Sequence, residues 1–258
     1  MMNITPMVRN ILIINVVAFL AFEMFNNSNQ FALYDFRSPN FRFYQFITHM
    51  FMHGSWMHLF SNMFSLFIFG PMLESRWGSQ RFLTFYLITG LGASVLFAGV
   101  RNYELNQLRE DTISYINAPT PVGLRQYLDE HLEGRYNESV LEEFRTHAND
   151  PAMIQGTIQS VKEIYNSMVN VPMLGASGAV FGILMAFGML FPNTELMLLF
   201  FPFPIKAKYF VMLYGAYEIY AGIERMPGDN VAHYAHLGGM LFAYILIKVW
   251  EKDRTHFY

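Results

Sequence analysis

The chain has 258 residues, of which 53% are hydrophobic and only 14% charged, against about 25% charged in an ordinary soluble domain. That imbalance points to a membrane protein, and a net charge of -3 leaves no electrostatic footprint for nucleic acid. The absence of cysteine excludes disulfides, thiolate metal sites and a cysteine nucleophile.

The first nine residues precede an apolar run, Ile11 to Phe25, broken by Asn15 and by Glu23 near its far end. It lacks a small-residue cleavage site and reads as a retained first span, not a signal peptide. Residues 26 to 45 form a polar and aromatic connection. The segment from Phe46 to Leu73 follows, and its later part is a second span. A short polar turn, Glu74 to Arg81, leads to a third span, Phe82 to Val100. Composition then changes. Residues 101–170 hold 11 acidic and 6 basic side chains and no spanning run. Thr120-Pro121 and Asp150-Pro151 each look like an N-cap followed by proline at the first helical position. Behind the second, Ile154, Ile158, Val161 and Tyr165 share one helical face. We read 101–170 as a largely helical extramembrane insertion within a single membrane domain covering 1–258.

An apolar stretch from Leu174 to Phe191 forms the fourth span, about 18 residues against a ~30 Å hydrocarbon core, which places Ser177 about one turn inside it. The prolines of Phe201-Pro202-Phe203-Pro204 argue against a regular helix. A fifth span runs from Tyr209 to Gly222, a turn occupies Glu224 to Asn230, and a sixth span runs from Ala232 to Trp250. Basic residues in the short connections set the orientation. Arg9, Arg76, Arg81, Lys206, Lys208, Lys248, Lys252 and Arg254 collect on one side, and Arg37, Arg42 and Arg225 on the other. Both termini are therefore expected in the cytoplasm and the insertion on the outer side, with the bacterial inner (cell) membrane as the expected location.

Spans two, four and six then enter from the same side, so residues one turn into each lie level. Ser177, His236 in span six, and His58 with Asn62 at i and i+4 on span two meet that condition. The glycines around Ser177 have a packing reading, because Gly178-xxx-Gly182 is a small-xxx-small pair. They also have a catalytic one, since they leave room for a peptide to approach a nucleophile. Serine is a weak nucleophile until an imidazole takes its proton, and the same imidazole can protonate the leaving amine. The tetrahedral intermediate needs donors, for which His58, Asn62 and the Ser177 N–H are candidates. No carboxylate lies in the early turns of spans two, four or six, so the expectation is a Ser-His dyad. Glu218, in the middle of span five, is expected to be packed inward or paired.

The segments His53-Gly-Ser-Trp-Met-His58-Leu-Phe-Ser-Asn62, Gly70-xxx-Glu74-xxx-Gly78, Gly175-Ala-Ser177-Gly178 and Ala235-His236-Leu237-Gly238-Gly239, in this order on six spans, resemble the rhomboid family of intramembrane serine proteases. The resemblance covers about 10 to 100 and 171 to 250. It implies an all-α six-helix membrane bundle, with Ser177 as nucleophile, His236 as its base, and His58 and Asn62 helping to form the oxyanion site. Gly175 would begin the motif around the nucleophile, and the connection between spans five and six, with Asp229-Asn230, would cap the site. Transmembrane proteins are the implied substrates, cleaved beside the lipid bilayer without a cofactor. Three features depart from the pattern, one of them the 101–170 insertion, which has no counterpart in it. The first connection often carries Trp-Arg where this chain has Tyr44-Gln45. A tyrosine four residues after the nucleophile, which stacks on the catalytic histidine in some members, is here Phe181. His49 and His53 stand at i, i+4, a spacing that can hold a metal on a helix, but Met50 occupies the place of a hydrolytic glutamate, so no metal is expected. A non-catalytic relative that binds membrane clients, and a transporter using the midplane polar groups, are the alternatives.

Overall fold

The computed structural model describes residues 4–25, 28–132, 134–197, 203–224 and 231–252. The described residues are mostly helical. In order they form α1 (Pro6–Phe25), the single turn α2 (Gln45–Thr48), α3 (Trp56–Trp77), α4 (Ser79–Asn117), α5 (Pro121–Leu132), α6 (Glu138–Thr146), α7 (Pro151–Val169), α8 (Ser177–Leu190), α9 (Ala207–Glu224) and α10 (His233–Trp250). A two-residue antiparallel pair, β1 (Glu195–Leu196) with β2 (Ile205–Lys206), closes the loop between α8 and α9. The expected turn at 225–230, with its capping role, and Phe201-Pro202 lie outside the described residues.

Among the described residues, three helices are long and apolar enough to cross a membrane: Pro6–Met24, Trp56–Trp77 and the 39-residue Ser79–Asn117. With no water in a bilayer core, a chain must satisfy its backbone internally, which helices do. The chain is an all-α membrane protein. α8 is different. Its 14 residues span only ~21 Å at 1.5 Å per residue, and it lies in the centre of the molecule against α10, α4, α3 and α9. Most of its side chains are buried, and Ile183 and Ala186 join Leu66, Phe82, Phe85 and Ile247 in the main apolar core.

Two sequence boundaries are corrected. The fourth helix begins at Ser177, not at Leu174. Met173 is taken up by reciprocal 2.8 Å backbone hydrogen bonds with Leu33, the Gly175 N–H is bonded to the His49 carbonyl at 2.9 Å, and Gly175 has φ +129°, outside any helix. The third helix does not stop near residue 100 but runs on to Asn117. Its extension begins the 101–170 segment, which has an apolar core of its own. Leu105, Leu108 and Tyr115 on α4 pack with Leu124, Tyr127 and Leu128 on α5, Leu141 and Phe144 on α6, and Val161 on α7. Thr120 Oγ1 accepts from the Gly123 N–H, and Asp150 caps α7 by accepting from the Ala152 N–H at 2.8 Å. Ile154, Ile158 and Tyr165 pack against this core along the face that their spacing defines.

Glu74 holds the other end of the bundle. Its buried carboxylate accepts from the N–H groups of Met7 and Val8 at 2.9 and 2.8 Å and from the hydroxyls of Thr5 and Ser79. One side chain thereby satisfies the start of α1 and joins the end of α3 to the start of α4. A carboxylate at a helix N-terminus also meets the favourable end of the helix dipole.

Candidate active site

Ser177 is the first residue of α8, and His236 lies in the first turn of α10. Their side chains meet: Ser177 Oγ lies 2.9 Å from His236 Nε2. Two glycines make that possible. A Cβ on Gly239 would fall 1.9 Å from the Gly178 carbonyl oxygen, and one on Gly178 would fall 2.5 Å from Ala93 Cβ. Backbones of α8 and α10 therefore touch directly beside the pair, with α4 packed against both. Gly182 presses on Thr89 one turn later, so the small-residue spacing has a packing role as well.

Phe181, one turn after Ser177, lies face to face with the His236 ring, with centroids 4.0 Å apart and planes at 8°. Stacking needs no hydroxyl, which is why phenylalanine suffices here.

The loop before α8 wraps around the serine. A Cβ on Gly175 would fall 2.8 Å from both Cε1 and Nε2 of His58 and 3.5 Å from Ser177 Oγ. His58 is thus brought against the loop that leads into Ser177, and only glycine fits between them. Asn62, one turn further along α3, is buried, and its Nδ2 has no hydrogen-bond partner among the described residues; nor has either ring nitrogen of the buried His53. A buried donor left unmade costs about 1–3 kcal/mol. The first N–H groups of a helix also lack intrahelical acceptors, and Ser177 contributes the first of α8. A cavity of about 10 Å³ behind the serine, lined by His49, Gly175 and Ser177 among others, has room for about one water.

The first connection is held by Gln45. Its side chain donates to the carbonyls of Gln30 (3.0 Å) and Asn40 (2.8 Å) and accepts from the N–H groups of Arg42 (3.0 Å) and Tyr34 (3.4 Å). Gln45 is therefore an anchor of this connection, made by an amide.

The expectation that no carboxylate reaches His236 is corrected. Glu218 Oε2, from the middle of α9, lies 2.8 Å from His236 Nδ1, and the same oxygen lies 2.6 Å from Nδ1 of His233. All three residues are buried. The sequence did contain the signal. An intramembrane carboxylate must be paired, and His233 and His236 stand three apart on the same face of span six.

The ligand atoms of Glu218, His233 and His236 lie within 4.8 Å of one another. Tetrahedral zinc with ligands at about 2.0–2.2 Å would hold them roughly 3.3 Å apart, so separations of 2.6 and 2.8 Å describe shared protons. His49 and His53 are not on one helical face. The helical turns end at Phe51, and His49 Nδ1 is occupied by the Gln45 carbonyl at 2.8 Å.

A family model described as a Rhomboid domain matches residues 40–105 and 152–251. The unmatched stretch between them falls inside 101–170. Among curated relatives, RHOMBOID-like protein 12, mitochondrial, of Arabidopsis thaliana is 28% identical over 257 residues, 97% of this chain and 60% of the relative. Rhomboid-like protein 11, chloroplastic, of the same plant is 39% identical over 87 residues, 33% of this chain and 30% of the relative. An uncharacterised mitochondrial rhomboid protein of Schizosaccharomyces pombe is 26% identical over 223 residues, 82% of this chain and 52% of the relative. The chain spans 60% or less of the length of these relatives. Their names give no support to the bacterial cell membrane expected from the sequence; what stands is an integral membrane protein.

Proposed function

We propose, from the premise that this chain belongs to the rhomboid family, that it is an intramembrane serine endopeptidase acting on transmembrane proteins. Ser177 is the nucleophile and His236 its general base. The observation that carries the reading is the 2.9 Å contact between Ser177 Oγ and His236 Nε2, made between two helices in a buried site. A serine hydroxyl and an imidazole at that distance are the minimum apparatus for acyl transfer.

As Ser177 attacks a peptide carbonyl, His236 takes its proton and later returns it to the leaving amine. Negative charge then develops on the carbonyl oxygen, where the Ser177 N–H, Asn62 and His58 are its donors. Phe181 keeps the imidazole plane fixed through both transfers. Water entering the site then attacks the acyl carbon, His236 taking its proton and returning it to Ser177 Oγ as the ester bond breaks. A scissile peptide locked in helical hydrogen bonds is unavailable for attack, so the substrate span unwinds locally as it enters.

Six helices, α1, α3, α4, α8, α9 and α10, make the membrane bundle of this single domain. At 18 residues each, α9 and α10 reach ~27 Å, close to the ~30 Å hydrocarbon thickness, whereas α8 is enclosed by protein and need not match it. The start of α1 and the end of α10 lie on one side of the membrane, and the site opens on the other, where the folded 101–170 insertion also stands.

The test is cleavage of a model transmembrane substrate in proteoliposomes together with fluorophosphonate labelling. Ser177→Ala and His236→Ala each lower the rate on the order of 10⁴-fold or more without loss of the folded bundle. Persistent cleavage by purified Ser177→Ala protein would refute the assignment. Absence of any adduct with the unaltered protein, under conditions that label an active relative, identifies a client-binding protein instead.

A further inference from the structure

The contacts of the catalytic pair continue past His236. Glu218 Oε2 stands between two imidazoles, 2.8 Å from His236 Nδ1 and 2.6 Å from His233 Nδ1. The carboxylate is 2% exposed and each histidine 7%. An ionised carboxylate can only accept, so both rings must turn an N–H toward it. For His236 this settles the tautomer. With the proton on Nδ1, the lone pair is on Nε2, directed at the Ser177 hydroxyl, which is the form a general base requires. The other tautomer would set a lone pair against the carboxylate and an N–H against the serine.

We propose that Glu218 is a positioning residue that holds His236 in its base tautomer and balances the imidazolium formed during attack. His233, in turn, orients the shared carboxylate. This deepens the serine protease reading and rests on it. The proton balance closes without Glu218 changing state. The Oγ–H bond breaks as the Oγ–carbon bond forms, the proton passes to His236 Nε2, and it leaves from the same nitrogen to the departing amine. Glu218 remains ionised throughout.

His233 has a second part in this arrangement. It lines a cavity of about 430 Å³ between the N-terminal end of α10 and the 101–170 segment, together with Arg101, Glu130 and His131, whereas Glu218 and His236 are not on that lining. His233 is therefore in contact with both the cavity and the carboxylate. A charge kept from water interacts more strongly with its partners, so His233 both aims Glu218 and keeps it dry.

Glu218→Gln tests the proposal because it keeps the size and one acceptor but removes the charge. We expect kcat to fall on the order of 10²-fold or more with KM within about threefold, Glu218→Asp to recover part of the loss, and His233→Asn to lower kcat by about 3- to 10-fold. A residue that serves only the fold would shift the melting temperature and leave kcat per folded molecule alone. A Glu218→Gln kcat within threefold of the unaltered protein overturns the proposal. Histidine ¹⁵N NMR supplies a readout independent of cleavage: His236 of the unaltered protein should carry its proton on Nδ1, and Glu218→Gln should shift the population toward Nε2–H. An Nε2–H tautomer in the unaltered protein overturns the proposal even if no cleavage is ever seen. An Nδ1–H tautomer lost in Glu218→Gln supports it even if the protease reading fails. Should Glu218→Gln not fold, Glu218→Asp kinetics and the unaltered protein's tautomer decide.

Discussion

Gly239→Ala tests how closely the chemistry depends on the crossing of two helices. The new Cβ would sit 1.9 Å from the Gly178 carbonyl oxygen and 2.8 Å from its carbonyl carbon, and these are backbone atoms that no rotamer change can move. A relaxed carbon–oxygen contact is about 3.3 Å, so α8 and α10 must part by roughly 1.4 Å at this point. Gly178 follows Ser177 in sequence, and Gly239 lies one turn after His236. If most of the displacement is transmitted, the 2.9 Å Ser177–His236 contact opens to roughly 4 Å, beyond hydrogen-bond range. A misplacement of about 1 Å can cost on the order of 10²-fold in rate, and overpacking about 1–3 kcal/mol in stability. The assay is kcat/KM on a membrane substrate alongside a thermal melt, with Gly99→Ala as control, since nothing lies within 4 Å of a Cβ there. Unchanged kcat/KM and melting temperature in Gly239→Ala would refute the reasoning that these two backbones set the catalytic distance.

Gln45→Leu should destabilise the first connection by ~2–4 kcal/mol, because four backbone groups of that loop lose their partner; limited proteolysis between α1 and α3 should accelerate, and an unchanged digestion pattern would count against the anchoring role. Phe181→Ala should lower kcat by about 10-fold or more through a looser His236 ring, while Phe181→Tyr should retain activity, both measured by cleavage. Alkaline pH should loosen the 101–170 segment. Burial raises the pKa of Tyr127, and its hydroxyl is 3.0 Å from Thr112 Oγ1. The folded form therefore holds its proton more tightly than the unfolded chain, and stability falls as pH rises past the unfolded tyrosine value of about 10. Protease sensitivity of the segment that stays flat from pH 9 to 11 would contradict this.

Much of the fold was legible because a bilayer turns composition into length. The apolar runs predicted α9 and α10 to within two residues, the end of α1 at Phe25 and the existence of α3, and proline with its cap predicted the starts of α5 and α7. The misplaced boundaries have one physical cause. Hydrophobicity reports burial, and not hydrogen bonding. Leu174 is apolar enough to extend α8, but the chain there is committed to Leu33 and His49. Beyond Val100 the composition turns polar, yet nothing in the sequence breaks the helix before Asn117. The meeting of Ser177 with His236 was anticipated from depth alone. The Glu218 contact was missed because depth was compared only among helices entering from one side, while α9 runs the other way and brings a residue from its middle to the same level.

The arrangement has an electrostatic logic that depth alone does not express. Ser177 begins α8, His236 lies in the first turn of α10, and His58 lies in the first turn of α3. These three residues therefore stand at helix N-termini, where unsatisfied N–H groups carry partial positive charge. That favours an oxyanion forming between them and disfavours an imidazolium in the same place. The two demands of the reaction conflict, and helix ends alone satisfy only the first. A carboxylate delivered from the middle of α9 meets the second by adding negative charge on the far side of the imidazole from the serine. Moving it to the first turn of α3, α8 or α10 would place a negative charge beside the oxyanion itself, so the helix that the depth comparison left out is the one from which the carboxylate can act.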